Sequence, residues 1–235
     1  MRTETRHQLK QDKFAETVGH QYSWAVEHRS TLTYGGIAIA IILALVLGGK
    51  AYYSQRNVKA NGALAKAMET YNAPLRPAGM PAQQDFISFA SSDERARAAH
   101  AEMEKVANEY PHTNGGAMAR YFAGITANDM GDAATAEKEL KEAVDAGDKD
   151  LSALAKLALA ALYVQKGRDN EAIEIYKFLA DHPTNSVGKF TAQLKLAEVY
   201  KAKQPVEATK LYEQIKKDDP TGAAGQLATQ ALMGK

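Results

Sequence analysis

Residues 160–183, AALYVQKGRDNEAIEIYKFLADHP, decide the fold. A helix carrying Leu159, Ala160 and Tyr163 leads into Gly167-Arg168, and a second helix carrying Ala172, Tyr176 and Leu179 ends at Pro183. A small residue followed by larger ones four and seven positions on places all three on one helical face. The alanine lets two helices approach closely while the larger side chains fill the seam. Glycine supplies the turn between them, because it adopts positive φ at little cost. The segment reads as one helical hairpin.

The same pattern recurs on both sides. Ala99, Ala136, Ala172 and Ala208 are spaced by 37, 36 and 36 residues. Four positions beyond each stand Met103, Leu140, Tyr176 and Tyr212, and three further on come Val106, Ala143, Leu179 and Ile215. Pro111, Pro183 and Pro220 close three of these helices, with Gly147 near the equivalent place in the fourth. Gly131-Asp132 and Lys203-Gln204-Pro205 occupy the turn position of Gly167-Arg168. A fixed period of this size marks a solenoid of stacked hairpins. The units resemble the tetratricopeptide repeat: Gly124, Gly131, Ala136, Leu140 and Ala143 fit its motif, then Ala160, Tyr163, Gly167, Ala172 and Tyr176, then Ala197, Tyr200, Ala208, Tyr212 and Pro220. The first unit departs from it. Its second helix, about 93–110, fits, but the partner helix, about 55–71, is displaced by a Pro-rich insert at Pro74–Pro81 and a short 85–90 stretch.

Upstream, residues 30–49 run STLTYGGIAIAIILALVLGG without a charge. At about 1.5 Å per helical residue such a run reaches about 30 Å, the thickness of a bilayer's hydrocarbon core. It is longer than the apolar part of a cleavable signal, and no helical face in it is polar, as a soluble core helix would require. Gly49 and Ala51 fit a cleavage site, so processing stays open, whereas Tyr34 and Tyr52-Tyr53 suit the interfaces of a retained anchor. Basic residues flank both ends: Lys10, Lys13 and Arg29 before, Lys50, Arg56, Lys59 and Lys66 after. Charge therefore leaves the orientation undecided. Within the run, Gly36, Ala40, Ala44 and Gly48 recur every four residues, a stripe that permits close packing against another membrane helix, in a translocon or in a second copy (a homo-oligomer). Coincidence is the competing explanation, since both residues are common in membrane helices.

The expected architecture is all-α, an N-terminal transmembrane helix followed by a tetratricopeptide-repeat-like α-solenoid. Residues 1–29 read as a cytoplasmic tail, in which Leu9, Phe14, Val18, Tyr22 and Val26 keep roughly helical spacing. They suit either an amphipathic surface helix or a disordered tail. Residues 30–50 form the transmembrane helix, 51–92 the juxtamembrane helix and Pro-rich insert, 93–222 the repeats, and 223–235 a C-terminal capping helix or tail.

A tail, one anchor and a short repeat domain together resemble the YfgM-like ancillary subunits of the bacterial SecYEG translocon. The resemblance rests on layout over roughly residues 10–235. It implies a bacterial inner-membrane protein with a cytoplasmic N-terminus and a periplasmic repeat domain that meets translocon-associated chaperones or clients. A structural scaffold of a cell-envelope assembly or division complex is the competing expectation.

Composition narrows the function. The part after residue 49 carries 24 basic and 24 acidic residues, which argues against a nucleic-acid surface. No cysteine occurs, which excludes disulfides, thiolate metal sites and cysteine nucleophiles. No two histidines of the soluble part pair at metal-binding spacing, and Gly115-Gly116 lacks the strand and lysine of a phosphate loop, so it reads as a turn preceding a helix. His112 and His182 adjoin helix-ending prolines, where imidazole satisfies terminal carbonyls. No catalytic residue, metal site or cofactor is expected.

Repeat domains work by surface, with the first helices lining a groove for an extended or helical peptide. By register, Met118, Tyr121, Ile125, Asn128 and Asp129 face that groove in the first full unit. Leu154, Leu157, Ala161 and Val164 follow, then Leu194, Glu198 and Lys201, where the surface turns charged. Either a partner fills the groove or one of the protein's own helices does, about 55–71 or 223–233.

Overall fold

The computed structural model describes residues 24, 26–81 and 86–234. The amphipathic reading of Leu9–Tyr22 thus lies outside the described residues. Those described form helices, with one isolated bridge between Leu75 and Phe89. The chain divides into two compact units between Ser54 and Gln55.

Helix α1 runs Arg29–Tyr71 and contributes to both units. The sequence reading separates a span at 30–50 from a helix at 55–71; the structure has one element instead. The connection Lys50-Ala51-Tyr52-Tyr53-Ser54 holds no proline and no turn former, so nothing interrupts the hydrogen-bond ladder. In the first unit α1 is long and apolar enough to cross a membrane, and none of its apolar window is buried in protein. Leu45 is 71% exposed and Leu47 65%. Such a surface suits lipid and not water.

The second unit is built of hairpins. The end of α1 pairs with α2 (Ser92–Glu109), α3 (Asn114–Asp129) with α4 (Ala133–Ala146), α5 (Lys149–Gln165) with α6 (Asp169–Asp181), and α7 (Lys189–Lys203) with α8 (Pro205–Asp218). Helix α9 (Ala223–Met233) packs on α8 and α7. All twelve seam positions of the repeat register are buried, the most exposed being Val106 and Tyr212 at 5%. Gly131 and Gly167 have φ of 78° and 72°, the left-handed turns that join α3 to α4 and α5 to α6. Side chains close the helix starts: Ser91, Thr113, Asp132 and Asp148 each accept a hydrogen bond from a first-turn backbone N–H.

Gly115 and Gly116 lie inside the first turn of α3, not in a turn before it, and the Thr113 hydroxyl accepts from the Gly116 N–H at 3.0 Å. A Cβ on Gly115 would stand 2.8 Å from the Ala60 carbonyl carbon. The glycine exists there so that α3 can lie against the backbone of α1. One core cluster follows from this contact, joining Ala67 to Met103, Val106, Ala107, Ala119 and Ala123. A second, larger cluster runs from Ala127 to Ala228.

Candidate protein-binding groove

The first helices α3, α5 and α7 carry the residues that the register assigns to a groove. Tyr121, Ile125, Leu154, Leu157, Val164 and Leu194 are half-buried, each packed with its inner atoms on the main core. Met118 and Asn128 are half-buried as well, whereas Glu198 and Lys201 are exposed. The structure thus gives these first helices a row of apolar side chains with their outer parts accessible, ending in charge on α7.

Of the expected residues, Ala161, Val164 and Glu198 come together in one cavity of about 270 Å³ among α5, α6 and α7. Its floor includes Tyr176 and Val199, while Ala161 and Ala202 leave the space open by having almost no side chain. Burial, reinforced by the Glu198 carboxylate, pushes the Tyr176 phenol up to about 12, so it stays a neutral hydroxyl at any physiological pH. The rim is fixed by ion pairs: Lys195 with Glu198 at 2.8 Å, and Lys203 with Asp169 at 3.2 Å. An apolar floor inside a rim of matched charges fits one aliphatic or aromatic side chain of a bound segment.

Residues 55–71 pair with α2 and α3, and α9 packs on α8 and α7. In the apolar part of α1, Gly36 and Gly48 have open space at the missing Cβ, and Ala40 and Ala44 are exposed.

Sequence reasoning missed a second cavity, of about 410 Å³, among α4, α5 and α6. Val144, Leu159, Ile175 and Phe178 line it between Lys141 and Lys156. Phe178 is 46% exposed, with the His182 ring stacked on it at 4.4 Å and the Lys156 ammonium 5.1 Å from its centroid. The signal was an aromatic two residues beyond Tyr176, off the seam register, where solvent-facing polarity is the norm. His182 Nδ1 also lies 3.0 Å from the Phe178 carbonyl oxygen, the helix-terminal role expected of it. Among the described residues no group of three or more His, Asp or Glu is placed to hold a metal ion.

The model of the tetratricopeptide repeat-like domain matches residues 23–195, a stretch that takes in the apolar helix together with the hairpins through α6 and the start of α7. The chain belongs to this tetratricopeptide repeat-like family. No curated protein and no solved structure matches the sequence. In a tetratricopeptide repeat-like chain the helical hairpins serve as protein-binding modules.

Proposed function

We propose that this protein is a non-enzymatic, single-pass membrane adaptor that holds partner proteins in the groove of its repeat domain. The observation that carries the reading is the row of half-buried, accessible apolar side chains on α3, α5 and α7, in a chain whose α1 begins as a membrane-type helix. The family match supports it, because a single domain model takes in both the apolar helix and the repeats. The layout shared with YfgM-like subunits supports a finer reading. The N-terminus is cytoplasmic, the repeats lie in the periplasm of a bacterial inner membrane, and the partners are the SecYEG translocon and periplasmic chaperones or their clients. The exposed Gly36, Ala40, Ala44 and Gly48 stripe is then the contact with a neighbouring membrane helix.

The test is photocrosslinking in cells from Tyr121 and Leu157, with thiol labelling of single cysteines placed at Ser23 and Ser152 to fix the topology. Expected are crosslinks to translocon subunits, chaperones or emerging clients, and labelling by an impermeant reagent at 152 alone. Crosslinks to envelope-assembly or division proteins without any translocon component would replace the finer reading by the scaffold reading. Crosslinks only within the chain would overturn the groove itself.

A further inference from the structure

A cavity at the first hairpin is polar where the row on α3, α5 and α7 is apolar. Tyr71 and Asn72 at the end of α1, Ser92, Arg95 and Ala96 near the start of α2, and Asp129 at the end of α3 line a mostly polar cavity of about 500 Å³. Two opposite charges stand in it. Among the described residues the Asp129 carboxylate takes no hydrogen bond and no ion pair. The surrounding protein strips part of its water and holds its carboxyl above the ordinary range, which the nearby Arg95 charge only partly offsets. Arg95 gives one N–H to the Ala73 carbonyl at 3.1 Å. A guanidinium has five N–H donors, so others remain for a ligand.

The helix ends have the same polarity. Asp129 is the last residue of α3, where the helix dipole favours a cation, and Ser92 is the first of α2, where it favours an electron-rich oxygen. The wall also includes Tyr71, and aromatic side chains attract ammonium and guanidinium groups. A bare cation would meet Arg95 as well as Asp129 and gain little. A peptide segment answers both charges at once, with a cationic side chain and a main-chain carbonyl.

We propose that this cavity binds a Lys or Arg side chain of an extended partner segment, with the cation on Asp129 and a neighbouring backbone carbonyl on Arg95. The inference rests on the groove reading and narrows it: the partner presents a basic residue at one end of an apolar stretch, which lies along Tyr121, Ile125, Leu154 and Leu157.

The test uses the full-length protein in detergent micelles, panned against a random peptide display library. The wild type is expected to select peptides with Lys or Arg at a fixed distance from apolar residues. D129N is expected to keep the apolar preference, lose the basic one, and bind a wild-type-selected peptide about tenfold more weakly, the scale of one lost charge-assisted hydrogen bond. Because Asp129 has no hydrogen-bond or ion-pair partner among the described residues, D129N should melt close to the wild-type temperature. A clear drop in melting temperature would make Asp129 structural and overturn the proposal. Selection of apolar peptides with no basic preference, or an unchanged basic preference in D129N, would overturn it and leave the groove reading standing. A wild type that selects nothing would overturn both.

Discussion

The first hairpin and the three that follow hold the same seam by different means. In α3–α4 and α5–α6 the connections are Met130–Asp132 and Lys166–Arg168, each with one left-handed glycine, and the helices meet as soon as the chain turns. Between α1 and α2 the chain instead travels through residues 72–91. Closing a longer loop costs more entropy, though only slowly with length. Polar ties distant in sequence offset that cost. The Thr70 hydroxyl donates to Glu102 at 2.9 Å, Arg95 donates to the Ala73 carbonyl, and the Asn114 N–H donates to the Asn57 side chain at 3.0 Å. Arg56 also donates to the Glu109 carbonyl. The repeat register therefore dictates which faces pack, and leaves open how the chain travels between them.

The joint between the two regions offers the largest way to break the comparison. Arg120 on α3 donates to Glu139 of α4 at 2.8 Å and to Asn108 of α2 at 2.9 Å, and it also meets Glu142 at 3.3 Å. The Glu139 side chain is only 1% exposed, and its other cation, Lys138, stands 3.7 Å away. R120A should cost about 3–5 kcal/mol, because it leaves a buried carboxylate without its close partner. R120A/E139Q should recover part of that loss. Chemical denaturation in micelles is the measurement, and R120A with wild-type stability would show that the pair holds nothing.

A smaller change should separate the first hairpin from the rest. In Gly115→Ala the new methyl would stand 2.8 Å from the Ala60 carbonyl carbon and 2.9 Å from the Asn61 nitrogen, both backbone atoms that cannot swing aside. Alanine gains about 1 kcal/mol of helix propensity over glycine, and the clash costs about 1–3 kcal/mol. The clash should win. Repeat arrays open locally, so amide exchange should speed up across 55–71 and stay unchanged in α5 to α8. Uniform loss of protection would mean that the hairpins do not differ in the way their ties suggest.

How much of this was legible in the sequence follows from what each feature depends on. The twelve seam residues were readable because a small residue with larger ones at i+4 and i+7 is a local pattern, and all twelve are buried. The turns at Gly131 and Gly167 were readable because positive φ selects for glycine. The continuity of α1 was not, since the missing signal is an absence of breakers between Gly49 and Gln55. Gly115 was misread as a turn residue because its role is set by Ala60, fifty-five positions upstream. Register assigns apolar residues to one face of the first helices, but the cavity at Val164 depends on Ala161 and Ala202 lining one space from separate helices. The cavity that holds Asp129 and Arg95 likewise needs three helix ends brought together.

The smallest expected effect sharpens the comparison from the other side. Glu137 on α4 ties the second hairpin to the third: it accepts from Tyr163 at 3.0 Å, from Lys141 at 2.7 Å, and from Arg168, whose guanidinium carbon lies 3.9 Å from the Tyr163 ring centroid. The bond from Lys141 does most to lower its carboxyl, with Arg168 and Tyr163 adding to it, and burial opposes them, so the group titrates at about 2. Its pKa is lower in the folded than in the unfolded chain, so the stabilisation is complete above the ordinary carboxylate range near 4.5 and is lost as pH falls toward 2. The shift alone would correspond to roughly 3 kcal/mol. Lys141 is 56% exposed and Arg168 36%, so solvent screening reduces the expected loss to about 1–2 kcal/mol. Between pH 5 and pH 2, amides of α4 to α6 should therefore lose protection ahead of those in 55–71 and α2. E137Q should already be weakened at pH 7 and lose less on acidification than the wild type does. If the wild type and E137Q lose stability in parallel as the pH falls, the acid sensitivity lies elsewhere and Glu137 is only a surface tie.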